Sequence, residues 1–93
     1  MRKHVFEVVV KGLEISILEL PLEEPLYIKW IKREGRLHTE FSMFHIDGKY
    51  TNINPQRDLL ILDKLLYARD NISFQVKNRE LFQEKIMITI WGD

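Results

Sequence analysis

The chain has 93 residues, 45% of them apolar and 11% aromatic, and its fourteen lysines and arginines balance its fourteen aspartates and glutamates. This length makes one domain spanning residues 1–93, the apolar content supplies a core that a disordered chain lacks, and zero net charge removes the long-range field that draws proteins to nucleic acid or anionic lipid. The absence of cysteine excludes disulfides, a thiol nucleophile and cysteine-ligated zinc, and it fits an intracellular location, cytoplasmic or nuclear.

From the N-terminus, Met1-Arg2-Lys3-His4 leads into alternating residues where a signal peptide would need a continuous apolar stretch. No apolar run approaches the roughly eighteen residues of a membrane-spanning helix, so a membrane partner is not expected. Residues 5–10 put Val5, Glu7 and Val9 on one face and Phe6, Val8 and Val10 on the other, which predicts a strand with the second face inward. Residues 13–20 alternate again, either as a second strand or as the first continuing past a bulge at Gly12. Pro21 and Pro25 bracket a loop.

Residues 27–32 read as a third strand, with Tyr27 and Lys29 on one face and Ile28, Trp30 and Lys32 on the other. Arg33-Glu34-Gly35-Arg36 is the expected hairpin, with Gly35 at a positive φ, and residues 37–45 are the fourth strand. On that strand Thr39, Phe41, Met43 and His45 share one face, and His38, Glu40, Ser42 and Phe44 the other. Asp47-Gly48 suits a type I′ turn, which needs positive φ at both central residues and would pair 44–46 with 49–53.

Residues 55–69 have two readings. Leu59, Leu62, Leu65 and Leu66 recur at helical spacing behind an Asn54 cap and Pro55, whereas the run Leu59-Leu60-Ile61-Leu62 suits a buried strand. Residues 72–76 are a strand, 77–80 a polar connector that could begin a turn of helix, and 85–91 a last strand. About seven strands and at most one helix, with frequent turns, indicate an all-β antiparallel sandwich or barrel.

Residues that carry chemistry are sparse. His38 and His45, seven apart on one strand, face opposite sides and make a poor metal pair, and the third imidazole is His4. The serines Ser16, Ser42 and Ser73 all lie in strand-like runs, outside any nucleophile elbow. Asp47, Asp58, Asp63, Asp70 and Asp93 include no Asp-x-Asp pair, and Glu23-Glu24 reads as a solvated rim, so no calcium site is expected. The isolated glycines form no phosphate loop. No catalytic residue, cofactor site or metal site is predicted. Lys29, Lys32, Arg33 and Arg36 surround Tyr27 and Trp30, a combination found both at solvated hairpins and where bases stack. Residues 85–91 set Ile86, Ile88 and Ile90 against Met87, Thr89 and Trp91. A strand apolar on both faces needs cover on both, and at a sheet edge it invites pairing.

The order "VFEVVVKGLEISILELP…PLYIKWI…GRLHTEF…DGKYTNINP…FQEKIMITIW" resembles the N-terminal C2-type β-sandwich of eukaryotic scaffold proteins. The likeness rests on Gly12-Leu13 after the first strand, on Leu26 to Trp30 after a proline loop, and on Phe82, Lys85, Met87 and Thr89 in the last strand. It covers nearly the whole chain through strand spacing and apolar positions, with no catalytic motif. Such domains run longer, with about eight strands, so the resemblance implies a fragment, a shortened variant or an edge completed by a partner. The paired loop aspartates of its calcium-binding members are missing, which implies a calcium-independent docking module.

These readings converge on a non-enzymatic C2-like β-sandwich that binds another protein or its own copy. The expected interface is Ile86, Ile88, Ile90 and Trp91 on the terminal strand, with Tyr27, Trp30, Lys32 and Arg33 as a second surface. Two alternatives stand beside it. One is an α+β β-grasp adaptor with a helix over 55–69, and the other is RNA or ribosome binding through the basic hairpin 29–36.

Overall fold

The computed structural model describes residues 1–35, 39–55 and 59–93, and for Asp63, Lys64 and Leu65 the backbone alone. Eight strands run in chain order: β1 (Arg2–Val10), β2 (Ile15–Pro21), β3 (Leu26–Glu34), β4 (Thr39–Ile46), β5 (Lys49–Tyr50), β6 (Leu59–Ala68), β7 (Asn71–Asn78) and β8 (Glu84–Gly92). They form two four-stranded sheets, ordered β1-β8-β3-β6 and β2-β7-β4-β5, and every pairing is antiparallel. The molecule is an all-β sandwich.

Alternation builds the core as the sequence implies. Phe6, Val8 and Val10 of β1 face Ile88, Ile86 and Glu84 of β8 across the ladder, and Ile28 and Ile31 of β3 join the same inner layer. The second sheet contributes Leu20, Phe41, Phe44, Ile72, Phe74 and Val76. At the centre the Phe44 ring stacks on Phe74 at 4.9 Å, and Phe41 meets Phe74 edge-on at 5.7 Å, an arrangement that adds quadrupole attraction to the burial itself.

Several expectations are corrected. Residues 59–68 form strand β6 and no helix occurs among the described residues, so the β-grasp alternative falls. The four-residue apolar run outweighs helical spacing because β3 offers a ladder and the sandwich a face to bury. Residues 56–58 of that segment, with Asp58, lie outside the described residues. Gly12 is a turn where β1 crosses to the other sheet, so residues 13–20 do not continue β1 past a bulge. Gly35 does not take a positive φ; a Cβ there would press on Ile86 at 3.3 Å. The Asp47-Gly48 turn is as expected, with φ of 51° and 80°, and it joins β4 to β5 through His45 opposite Tyr50.

Bulges change two face assignments. The β3 ladder skips Lys29, so Tyr27, Trp30 and Lys32 share the outer face and Ile28, Ile31 and Arg33 turn inward. In β4 the register shifts between Ser42 and His45, with Met43 at φ 52°, so Phe44 joins Phe41 and Thr39 inside. A bulge inserts one residue without a partner, and period-2 counting fails beyond it.

Candidate functional site

β8 is an interior strand, bonded to β1 on one side and β3 on the other. Ile86, Ile88 and Ile90 are at most 1% exposed, packed against the second sheet of their own chain. Its own fold covers the inner face and pairs both edges, while Met87, 39% exposed, and Trp91 stay partly open on the outer face, so the terminal strand is no pairing edge and these three isoleucines cannot meet a partner. Thr89, on the outer face, is buried as well, between flanking side chains.

The outer face of the first sheet gathers the remaining candidates. In ladder register Trp91 sits beside Trp30, and Trp30 beside Ile61; one step along, Thr89, Lys32 and Leu59 form the next row. Tyr27 lies opposite Tyr67. The Trp30 and Trp91 rings meet edge to face at 6.5 Å, and Tyr27 and Tyr67 lie tilted at 5.0 Å. Trp30 is 39% exposed and Ile61 61%, with Tyr27, Leu59 and Tyr67 each about half open. Five exposed side chains, Tyr27, Trp30, Leu59, Ile61 and Tyr67, thus share this outer face on β3 and β6, with the partly buried Trp91 of β8 beside Trp30. This arrangement depends on two things: the skipped residue at Lys29, which brings Tyr27 and Trp30 to one side, and β6 being a strand. The legible signal was the apolar run 59–62, whose outward positions Leu59 and Ile61 alternate with the half-buried Leu60 and Leu62.

Lysines beside these side chains have carboxylate partners. Lys32 Nζ meets Glu34 at 2.8 Å, Lys29 Nζ meets Asp93 at 2.8 Å, and Lys85 pairs with Glu7. The hydrogen bond and charge of Lys32 hold the Glu34 carboxyl below its ordinary value; the hydrogen bond from Lys29 does the same for Asp93, against the opposing effect of burial and with help from the Lys29 and N-terminal charges. Arg33 leaves this surface entirely: its guanidinium lies 4.4 Å over the Phe41 ring on the inner side. Arg36, the fourth member of the basic cluster, lies outside the described residues, as does His38.

The opposite outer face is more polar. Glu19, Ser73, Gln75, Lys77, Glu40, Ser42 and His45 lie on it, together with the exposed Ile15, Ile17, Met43 and Tyr50. Between residues 51–53 and β6 an open trough of about 460 Å³ is lined by Ile53, Leu60, Leu62 and Leu66, because β5 is only two residues long where β6 has ten. Among the described residues no group of three histidines or carboxylates could hold a metal ion. No described helix is long and apolar enough to cross a membrane.

No family model, curated protein or solved structure matches this chain.

Proposed function

We propose that the protein is a non-enzymatic docking module that binds another polypeptide through the outer face of the β1-β8-β3-β6 sheet. One observation carries this reading: the exposed side chains of Tyr27, Trp30, Tyr67, Leu59 and Ile61 and the partly buried Trp91 share one outer face, beside the ion-paired Lys29 and Lys32. Tyrosine and tryptophan with charge beside them is the make-up of protein interfaces. Trp30, Trp91, Tyr27 and Lys32 keep their place in the proposed interface; Ile86, Ile88, Ile90 and Arg33 are replaced by Leu59, Ile61 and Tyr67.

A C2-like, calcium-independent relationship is part of the proposal. Two four-stranded antiparallel sheets support it, as does the lack of an acidic cluster among the described residues. RNA binding through the hairpin is the weaker reading, since Lys29 and Lys32 are already paired with carboxylates and Arg33 with Phe41. A polysaccharide platform is also disfavoured, because edge-to-face rings do not present coplanar surfaces to sugars.

The test is site-specific photo-cross-linking in cells. A photoreactive amino acid at Tyr67 should give protein adducts of defined mass, and the same probe at Ile17, on the opposite face, should give none. Adducts from both positions alike, or from neither, would remove the proposal.

A further inference from the structure

We infer that strand β1 is a pairing edge for a second copy of the chain, the two β1 strands joining antiparallel about a two-fold axis at Val5. The edge is separated from the β3–β6 surface by β8, and the inference does not rest on the docking reading. Among the described residues β1 is bonded on one side only, to β8, and that ladder runs from Arg2 to Val10 without a register shift. A long, regular edge strand leaves alternate N–H and C=O groups free to bond another strand. Its inner side is also unfinished. Phe6 and Val8 are only partly buried at the margin of the core, whereas Ile86 and Ile88, opposite them on β8, are buried.

The outward side chains of β1 select the occupant. Lys3, Val5, Glu7 and Val9 alternate along it, all exposed. A lysine alone protects an edge from pairing. Here a lysine and a glutamate stand at equal distances either side of Val5. A two-fold at Val5 sets that residue opposite its own copy and Lys3 of each chain opposite Glu7 of the other, giving two pairs of unlike charge. Moving the axis to Glu7 would oppose Glu7 to Glu7 and Lys3 to Lys11, and moving it to Lys3 would oppose lysine to lysine, so charge fixes the register. Lys3 makes no ion pair among the described residues. Glu7 meets Lys85, and its carboxylate has room to accept a second cation. Arg2, which would face Val8 of the other copy, is already satisfied by Glu24 and the Pro25 carbonyl. The other margins are poorer templates. β2 ends in Pro21, and a two-fold at Ile17 would set Glu19 against Ile15; β5 has two residues; the β3–β6 register breaks between Ile61 and Leu66. Pairing through β1 makes one eight-stranded sheet and uses up both β1 edges, so it closes at two copies.

The register is testable because the chain has no cysteine, so one introduced thiol reports one position. Val5 and Val9 are both exposed and tolerate the change. In Val5→Cys the two thiols face each other with Cβ atoms about 5 Å apart, whereas in Val9→Cys they lie about 26 Å apart at roughly 3.3 Å per residue. Mild oxidation of the purified full chain should therefore link Val5→Cys into a covalent dimer about tenfold faster than Val9→Cys. Sedimentation equilibrium of the unmodified chain from about 10 to 500 μM, where so small an interface dissociates, should show the mass rising from 11.2 kDa towards twice that value. Lys3→Glu alone and Glu7→Lys alone each oppose like charges twice and should weaken dimerisation about tenfold. Mixed together, the two variants oppose unlike charges at both places and should pair with each other. A single-chain mass throughout, equal linking at positions 5 and 9, or a mixture no better than its components each overturns the inference. Protein adducts at Tyr67 would stand through any of these failures, since that residue lies on β6 at the other margin of the sheet.

Discussion

Asp47 does more than shape a turn. Its Oδ1 accepts the N–H groups of Asp70 (2.7 Å) and Asn71 (3.0 Å), and Oδ2 that of Arg69 (2.8 Å), so the β4–β5 turn clamps the β6–β7 turn. Burial works to raise its pKa, but those three donors and the Arg69 charge outweigh it and hold the carboxyl below its ordinary value. A carboxyl depressed on folding stabilises the protein above the unfolded-chain value near 4, and that contribution disappears as the pH falls through the folded value. Asp47→Ala should therefore lower unfolding free energy at pH 7 by about 1–2 kcal/mol, and urea titrations at lower pH should show the gap closing below about pH 4. Glu84 presents the opposite case. It is 5% exposed, opposite Val10 on the inner face, and neither carboxylate oxygen finds a partner among the described residues. Desolvation without a hydrogen bond is unfavourable, so Glu84→Met should raise the unfolding midpoint, by about 1 kcal/mol in free energy. A lowered midpoint would show that the carboxylate is satisfied in solution.

Among the elements, β7 and β8 carry the fold, each interior to its sheet and bonded on both sides. Phe74 of β7 touches both Phe41 and Phe44, and Phe74→Ala should cost about 3–5 kcal/mol. Phe82, eight residues on in the β7–β8 loop and 72% exposed, should tolerate alanine within about 0.5 kcal/mol. Thermal unfolding of the two variants side by side checks the contrast. Gly92 lets the end of β8 lie close against β3. A Cβ there would collide with the Tyr27 carbonyl oxygen, while the Tyr27 and Asp93 backbones bond reciprocally at 2.8 and 3.0 Å. Gly92→Ala must push β3 away from β8, and both unfolding stability and the spacing of the Trp30–Trp91 pair should suffer together. Alternation made these strands readable, and it assigned Phe6, Val8 and Val10 inward correctly. It failed at Trp30 and Phe44, because a bulge leaves no trace in an alternation of residue types.

At the scale of the molecule, the outer face of the β1-β8-β3-β6 sheet gathers Tyr27, Trp30, Tyr67 and Trp91, and that concentration of aromatic side chains leads to the docking proposal. Salt gives a further check. The ion pairs beside these side chains are exposed and contribute little, whereas apolar burial strengthens in sulfate. Docking through this face should therefore persist or tighten as ionic strength rises, while RNA binding through the hairpin would weaken steeply. Cross-linking from a probe at Tyr67, in lysate adjusted with sodium chloride or ammonium sulfate, distinguishes the two.

Composition and periodicity by themselves determined the class: a cysteine-free chain of layered antiparallel sheets with a positive-φ turn at Asp47-Gly48. They also marked two segments, 59–62 and 85–91, as apolar on both faces. Which of the two stays uncovered was decided by tertiary structure alone. Strand order sets β8 inside its sheet and β6 at the margin, and strand order depends on long-range pairing that no local run of residues encodes.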